Sequence, residues 1–267
     1  MKFSVFIFSI VLLFSCNSHI FKSSSNSEFA DTNETKIIRC KELKIFTRYQ
    51  TPVNYNRNKD LSSFAKWLND ISLKNSKIPV YTFDEIRKPN PNIYVGVLDL
   101  DQPKKNVQFN ANAIIRLRLE YFYQNKKYNE MDKMANIETK PTPYTKFAKG
   151  DLSKATFDSY LIYYLENTTS NTIKQLLKPI QFENIEIGDV FFQTGNIRNH
   201  AVIIIDMAKD ANGNKIFILA QGYYPSQDIQ ILVNPSNDNI SPWYEAKTGI
   251  LFTPEWRFST SDVMRFK

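Results

Sequence analysis

Histidine and cysteine are scarce in this chain, with two of each among 267 residues. His19 stands near the start, so His200 is the single histidine of the expected folded part. Zinc sites take three or four His, Cys or carboxylate ligands, so no metal site is expected. No cofactor is implied either. Clustered charge of one sign is also missing. The net charge is +7, yet no Lys/Arg run is longer than two, and the basic residues are scattered among Asn, Ile, Phe and Tyr. Phosphate-backbone binding favours a clustered basic stripe, so nucleic acid is not an expected partner. Long apolar runs are absent after the first fifteen residues, and no later segment is expected to cross a bilayer. Internal repeats are absent too.

What is present begins with the N-terminus. Lys2 supplies a positive start, and residues 3–14 form an apolar stretch too short to span a membrane. Leu13-Phe14-Ser15-Cys16 resembles a bacterial lipobox. That resemblance implies a signal peptide over residues 1–15, lipidation of Cys16 and a membrane partner reached through the acyl chains. With Cys16 committed to lipid, the chain is expected to form no intramolecular disulfide, leaving Cys40 an incidental thiol. Residues 16–42 are rich in Ser and Asn and read as a tether. No acidic pair follows Cys16, which favours an outer-membrane position facing the periplasm.

Apolar composition reaches 42%, ample for one core over residues 43–267. Asp60 is a candidate N-cap for a helix in LSSFAKWLNDISL, with Leu61, Phe64, Ala65 and Leu68 on one face. Residues 77–81 and 93–100 read as strands. Residues 108–127 read as a long helix, apolar around most of its circumference and so buried. Arg116 and Glu120 in it are four apart and can pair. A second long helix is expected over 153–177. Strands follow at 189–193, 201–207, 215–220 and 228–233, and Asn212-Gly213 marks a hairpin between the middle two. Helices first and a meander last predict an α+β fold, a mainly antiparallel sheet against two long helices. The Trp- and Pro-rich tail is expected to cover the sheet.

Seven segments occur in an order that resembles a known family: FTRYQTPVNYNR, LSSFAKWLNDISL, NANAIIRLRLEYFY, GDVFFQTGNIRNHAVIIIDMA, FILAQGYYPSQDIQIL, SPWY and TPEWRF. Together they are similar to the bacterial lipoproteins grouped as domain of unknown function 4846, over residues 43–267. The resemblance implies a Gln-Gln-Cys-Ala-Asp-like start to the RLRLEY helix. Here that place reads Gln108-Phe109-Asn110-Ala111-Asn112, with Asn110 where the cysteine would stand. It also implies Pro-Gly before the histidine, where this chain has Arg198-Asn199. A shorter stretch of about 35 residues resembles NlpC-type peptidases. Gly188-Asp189-Val190-Phe191-Phe192, His200-Ala201-Val202-Ile203 and Phe217 to Gln221 follow their strand pattern. That likeness implies a papain-like core.

A thiol nucleophile needs a base in hydrogen-bond reach, and a helix start that lowers its pKa. His200 is the candidate base and Gln221 the candidate orienting amide. No thiol heads either long helix, where Asn110 and Ser153 or Thr156 stand instead. Cys40, among charged residues at the edge of the tether, is a poor nucleophile. Asp206 lies six residues beyond His200, some 20 Å along a strand at about 3.3 Å per residue, too far for a dyad. Asp189, Arg116 and Arg118 are candidate binding residues, the arginines as an anion clamp or as a buried structural pair. Tyr223, Tyr224, Trp243 and Trp256 are candidates for sugar stacking or for packing. Two functions follow. One is a lipid-anchored envelope protein with a degenerate papain-like cleft around His200 that binds a cell-wall peptide or glycan, and, if active, a peptidase or amidase. The other is a structural or assembly lipoprotein whose His200 ties two strands together. An intact cleft with His200 exposed favours the first; a buried His200 with both ring nitrogens bonded to protein favours the second.

Overall fold

The computed structural model describes residues 37–135, 141–195 and 199–267. The expected signal peptide, Cys16 and most of the tether lie outside them. In chain order the helices are α1 (Ile45–Arg48), α2 (Ser63–Asp70), α3 (Asn112–Gln124), α4 (Tyr128–Ala135), α5 (Tyr144–Ala148), α6 (Lys154–Glu166) and α7 (Ser170–Leu176). The strands are β1 (Asn56–Arg57), β2 (Tyr94–Val97), β3 (Leu177–Pro179), β4 (Val190–Thr194), β5 (Asn199–Lys209), β6 (Lys215–Gln221), β7 (Gln230–Leu232), β8 (Tyr244–Glu245), β9 (Ile250–Phe252), β10 (Arg257–Ser259) and β11 (Val263–Phe266). This is an α+β fold. Nine strands make one antiparallel sheet in the order β2-β7-β6-β5-β4-β11-β3, with β1 beside β5 and β8 beside β6. β9 and β10 form a separate hairpin.

β5 and β6 are the centre of the sheet. Residues 201–205 and 216–221 are all buried, so both faces are covered. Gly213, with φ +84°, supplies the left-handed residue of the turn that joins them. Helices α2 and α3 lie against β5, and α4 and α6 lie against α3. Stacked rings of Tyr123 and Phe157, 4.1 Å apart, lock α3 to α6. The tail covers the sheet with Phe258 against Phe191, while Tyr244 of β8 stacks on its cross-strand neighbour Phe217 within the sheet.

Local chemistry moves several expected boundaries. Ser62, not Asp60, caps α2, its hydroxyl accepting from the Ala65 amide. Residues 77–81 do not form a strand; only Tyr81 bridges to Arg87. The helix expected from residue 108 starts at Asn112, because residues 108–111 spend their polar groups elsewhere. The helix expected over 153–177 breaks after Glu166, where Thr169 caps α7 with a reciprocal capping box. Two 13-residue helices, α3 and α6, therefore share the packing with shorter ones. Ordered structure also begins ahead of Leu43: Arg39 and Gln50 amides donate to Arg48 and Ile37 carbonyls. The expectation that no disulfide forms turns on Cys16, which lies outside the described residues.

Candidate functional site

Three segments far apart in sequence converge on His200. The imidazole stands near the start of β5, opposite Gln193 of β4. Gln221 ends the adjacent β6. Asn110 lies just before α3, and its side-chain nitrogen bonds His200 Nδ1. Gly222 permits this approach. A Cβ there would sit 2.8 Å from Ala113 Cβ and 3.3 Å from the Gln108 carbonyl.

The orientation of each polar group is fixed by its other partners. Asn110 Oδ1 accepts from the Ala111 amide at 2.9 Å and the Ala201 amide at 3.1 Å. Its Nδ2 is thereby turned towards the imidazole. Gln221 Nε2 donates to Glu255 Oε2 at 2.6 Å, so its Oε1 faces His200 Nε2 at 3.3 Å. That arrangement selects the neutral tautomer with the proton on Nε2 and a bare Nδ1. Lys88 closes the line, its ammonium donating to Glu255 Oε2 at 2.9 Å. Burial pushes the His200 pKa down to about 4; the Gln221 hydrogen bond opposes this, and the Lys88 charge adds to it. Ala111, between Asn110 and the helix, holds a φ of +64° without being glycine. Such strain persists only where surrounding contacts enforce it.

The imidazole is closed off. It is 1% exposed, and Trp256 stacks on it at 4.6 Å with 8° between the planes. Tyr223 and Phe258 complete an aromatic box at 5.7 and 5.5 Å. The expectation of an accessible hollow at the ring itself is therefore corrected. The open space lies one layer further out. A groove of about 670 Å³ is bordered by Gln193, Ile250, Phe252, Glu255, Trp256 and Arg257. Trp256 has an anchored indole, its Nε1 donating to Gln193 Oε1 at 2.8 Å.

The arrangement is an enclosed neutral imidazole between two amides, with no thiol or hydroxyl bonded to it among the described residues. An amide sits on the Nδ1 side, where hydrolysis by a thiol would need sulfur. Ser153 and Thr156 do not replace it. Both bond Asp151 at the exposed start of α6 and have no bond to His200.

The other expected site residues are engaged elsewhere. Asp189 is clamped by Arg265, with Nε to Oδ1 at 2.7 Å and Nη2 to Oδ2 at 2.9 Å. Burial pushes its carboxyl up, against the Arg265 bonds. It lies four residues from Gln193 on the extended strand, about 13 Å at 3.3 Å per residue, and so away from His200. Arg116 is buried and bonds Glu120, the Asp101 carbonyl and Gln108 Oε1. It holds the Gln108 end of the loop that carries Asn110. Arg118 is turned to a different hollow. Asp206 is buried and paired with Arg57. Trp243 is buried and donates to the Gln50 carbonyl, whereas Tyr223 and Trp256 sit on His200.

The model of the family described as domain of unknown function (4846) matches residues 45–152 and 132–265. The chain belongs to this family. No curated protein and no solved structure gives a significant match. In this member of the domain of unknown function 4846 family, Lys88 and Glu255 are invisible in the sequence as site residues. They meet across 167 positions, and neither lies in a motif that announces chemistry.

Proposed function

We propose that the protein is a lipid-anchored lipoprotein of the cell envelope, at the outer membrane and facing the periplasm. It binds a cell-wall peptide or glycan in the groove outside Trp256, beside a papain-like site that has lost catalysis. The observation that carries this reading is the line Asn110, His200, Gln221: an amide at the head of a helix, a neutral imidazole and an orienting amide. These are the positions a thiol, base and orienting group would hold in a papain-like hydrolase. The groove has the volume of ligand sites, and Phe252 and Trp256 offer ring faces to a sugar or an apolar side chain.

A specific observation favours a second reading, a structural or assembly lipoprotein with no ligand at this site. His200 is buried with both ring nitrogens bonded to protein. Calorimetric titration of the mature chain with soluble wall peptides and, separately, wall glycans decides between them. Saturable binding to one of the two, weakened about tenfold or more in Trp256→Ala, is expected, because buried aromatic anchors dominate such sites. Heat of mixing that stays flat for both ligand sets would leave the structural reading.

A further inference from the structure

A second hollow, of about 690 Å³, opens between the start of α2 and the end of α3. Ser63, Arg118, Tyr121, Lys126, Lys127 and Glu130 contribute its polar wall. The Tyr121 hydroxyl is the hub. Ser63 Oγ lies 2.5 Å from it, and Lys127 Nζ donates to it at 2.5 Å while also reaching Ser63 Oγ at 3.3 Å. The Lys127 ammonium is thus held by two neutral hydroxyls. Arg118 is wrapped in rings, its guanidinium carbon 4.5 Å from the Phe64 centroid, 4.6 Å from Phe122 and 5.2 Å from Phe266. Among the described residues it makes no hydrogen bond and no ion pair. The one carboxylate of the wall, Glu130, bonds Lys133 at 2.7 Å.

Three cations therefore face a hollow whose only carboxylate is already paired. Enclosing a guanidinium without an anion is costly, and an incoming anion relieves that cost. Burial pulls the Arg118 pKa down, opposed by Tyr121 and Glu130. Burial pushes the Tyr121 phenol up, but the bonds from Lys127 and Ser63, with the charges of Lys127 and Arg118, hold it below the usual range. The Tyr121 phenol thus registers the positive charge of Lys127 and Arg118, whereas Arg118 registers the cost of its own burial. The donors comprise a planar guanidinium, an ammonium and two hydroxyls, and α2 adds the positive end of its dipole. Converging donors of this kind suit a group with several acceptor oxygens, as on a phosphate, more than a planar carboxylate. The volume far exceeds one phosphate, and Phe64, Phe122 and Tyr128 offer apolar wall for the body that carries it.

We propose that this hollow is a binding site for a phosphate-bearing ligand, whose oxygens are taken by Arg118, Lys127, Ser63 and Tyr121. The proposal is independent of the groove at Trp256. The test is titration of the full chain carrying Cys16→Ser with inorganic phosphate at constant ionic strength, with chloride as the reference anion. Saturable binding is expected, together with a rise in the Tyr121 phenol pKa as the anion binds. Arg118→Gln and Lys127→Gln are each expected to weaken binding about tenfold or more, the worth of a charged hydrogen bond. Lys247→Gln, which removes an exposed lysine outside the hollow, should leave it unchanged. Lys127 is half-exposed, so its variant tests the site even if Arg118→Gln fails to fold. Two further arms identify the source. Displacement of phosphate by glycerol phosphate marks a soluble phosphomonoester. Variant-sensitive binding to phosphatidylcholine vesicles containing phosphatidic acid marks a lipid headgroup. Lack of saturable phosphate binding, or equal binding by wild type and both variants, overturns the proposal.

Discussion

His200 is held neutral by its surroundings, and the consequence is a pH-dependent stability. Its pKa is about 4 in the folded chain, against an ordinary value of 6.5. Between those values the unfolded chain binds more protons, so stability is full above pH 6.5 and falls as pH drops towards 4. The contribution lost is on the order of 3 kcal/mol, at about 1.4 kcal/mol for each pH unit separating the two values. Asp189 and Asp206 have carboxyls raised by burial, opposed mainly by Arg265 and Arg57, and their linkage has the opposite sign. The measurement is therefore a difference: urea midpoints from pH 4 to 7 for wild type and His200→Gln. The variant is expected to lose stability less steeply below pH 6.5. Parallel curves would show that the imidazole is not strongly depressed. The sequence singles out His200 and Gln221 by their positions at strand ends, and Asn110 only as the residue that stands where the family resemblance implies a cysteine. It does not disclose that Trp256 and Glu255 close the same site, because those contacts arise only when the tail folds back.

At the scale of elements, the meeting of β6 with the head of α3 is the critical junction. Gly222 stands where a side chain would collide with Ala113 and the Gln108 carbonyl. Gly222→Ala is expected to cost about 1–3 kcal/mol, as over-packing does in a closed core. It should lower the urea midpoint without changing the slope; an unchanged midpoint would mean that the head of α3 yields freely. Elements with a clear period are legible in the sequence. The hairpin of β5 and β6 follows from two apolar runs around Asn212-Gly213, and the buried surface of α3 from its all-round apolar pattern. The split of α6 from α7 is not legible, because Thr169 and Thr172 cap each other, a hydrogen-bonding choice that apolar spacing does not reveal. The strand expected at 77–81 does not form because its amides find single partners, such as Tyr94 Oη and Asp228, in place of a ladder.

For the whole molecule, the proposed anchor rests on a single thiol, Cys16. The chain has two cysteines. A thioether at Cys16 uses one, so a lipidated chain cannot close a disulfide within itself. Cys16→Ser is expected to move the protein from the membrane fraction to the soluble one, and electrophoresis with and without reductant shows which thiol state the native chain adopts. Full membrane retention of the variant would defeat the lipid anchor. The sequence by itself determined the α+β class, the central hairpin and the pairing of His200 with Gln221. Those follow from local periodicity, turn chemistry and element ends, all encoded within a few residues. Only the tertiary structure decided that the imidazole is shut behind Trp256, that Glu255 and Lys88 fix its tautomer, and that Arg118 faces a hollow whose one carboxylate, Glu130, is paired with Lys133. Each of these depends on burial and on charges brought together across the chain, and neither quantity exists until the chain has packed.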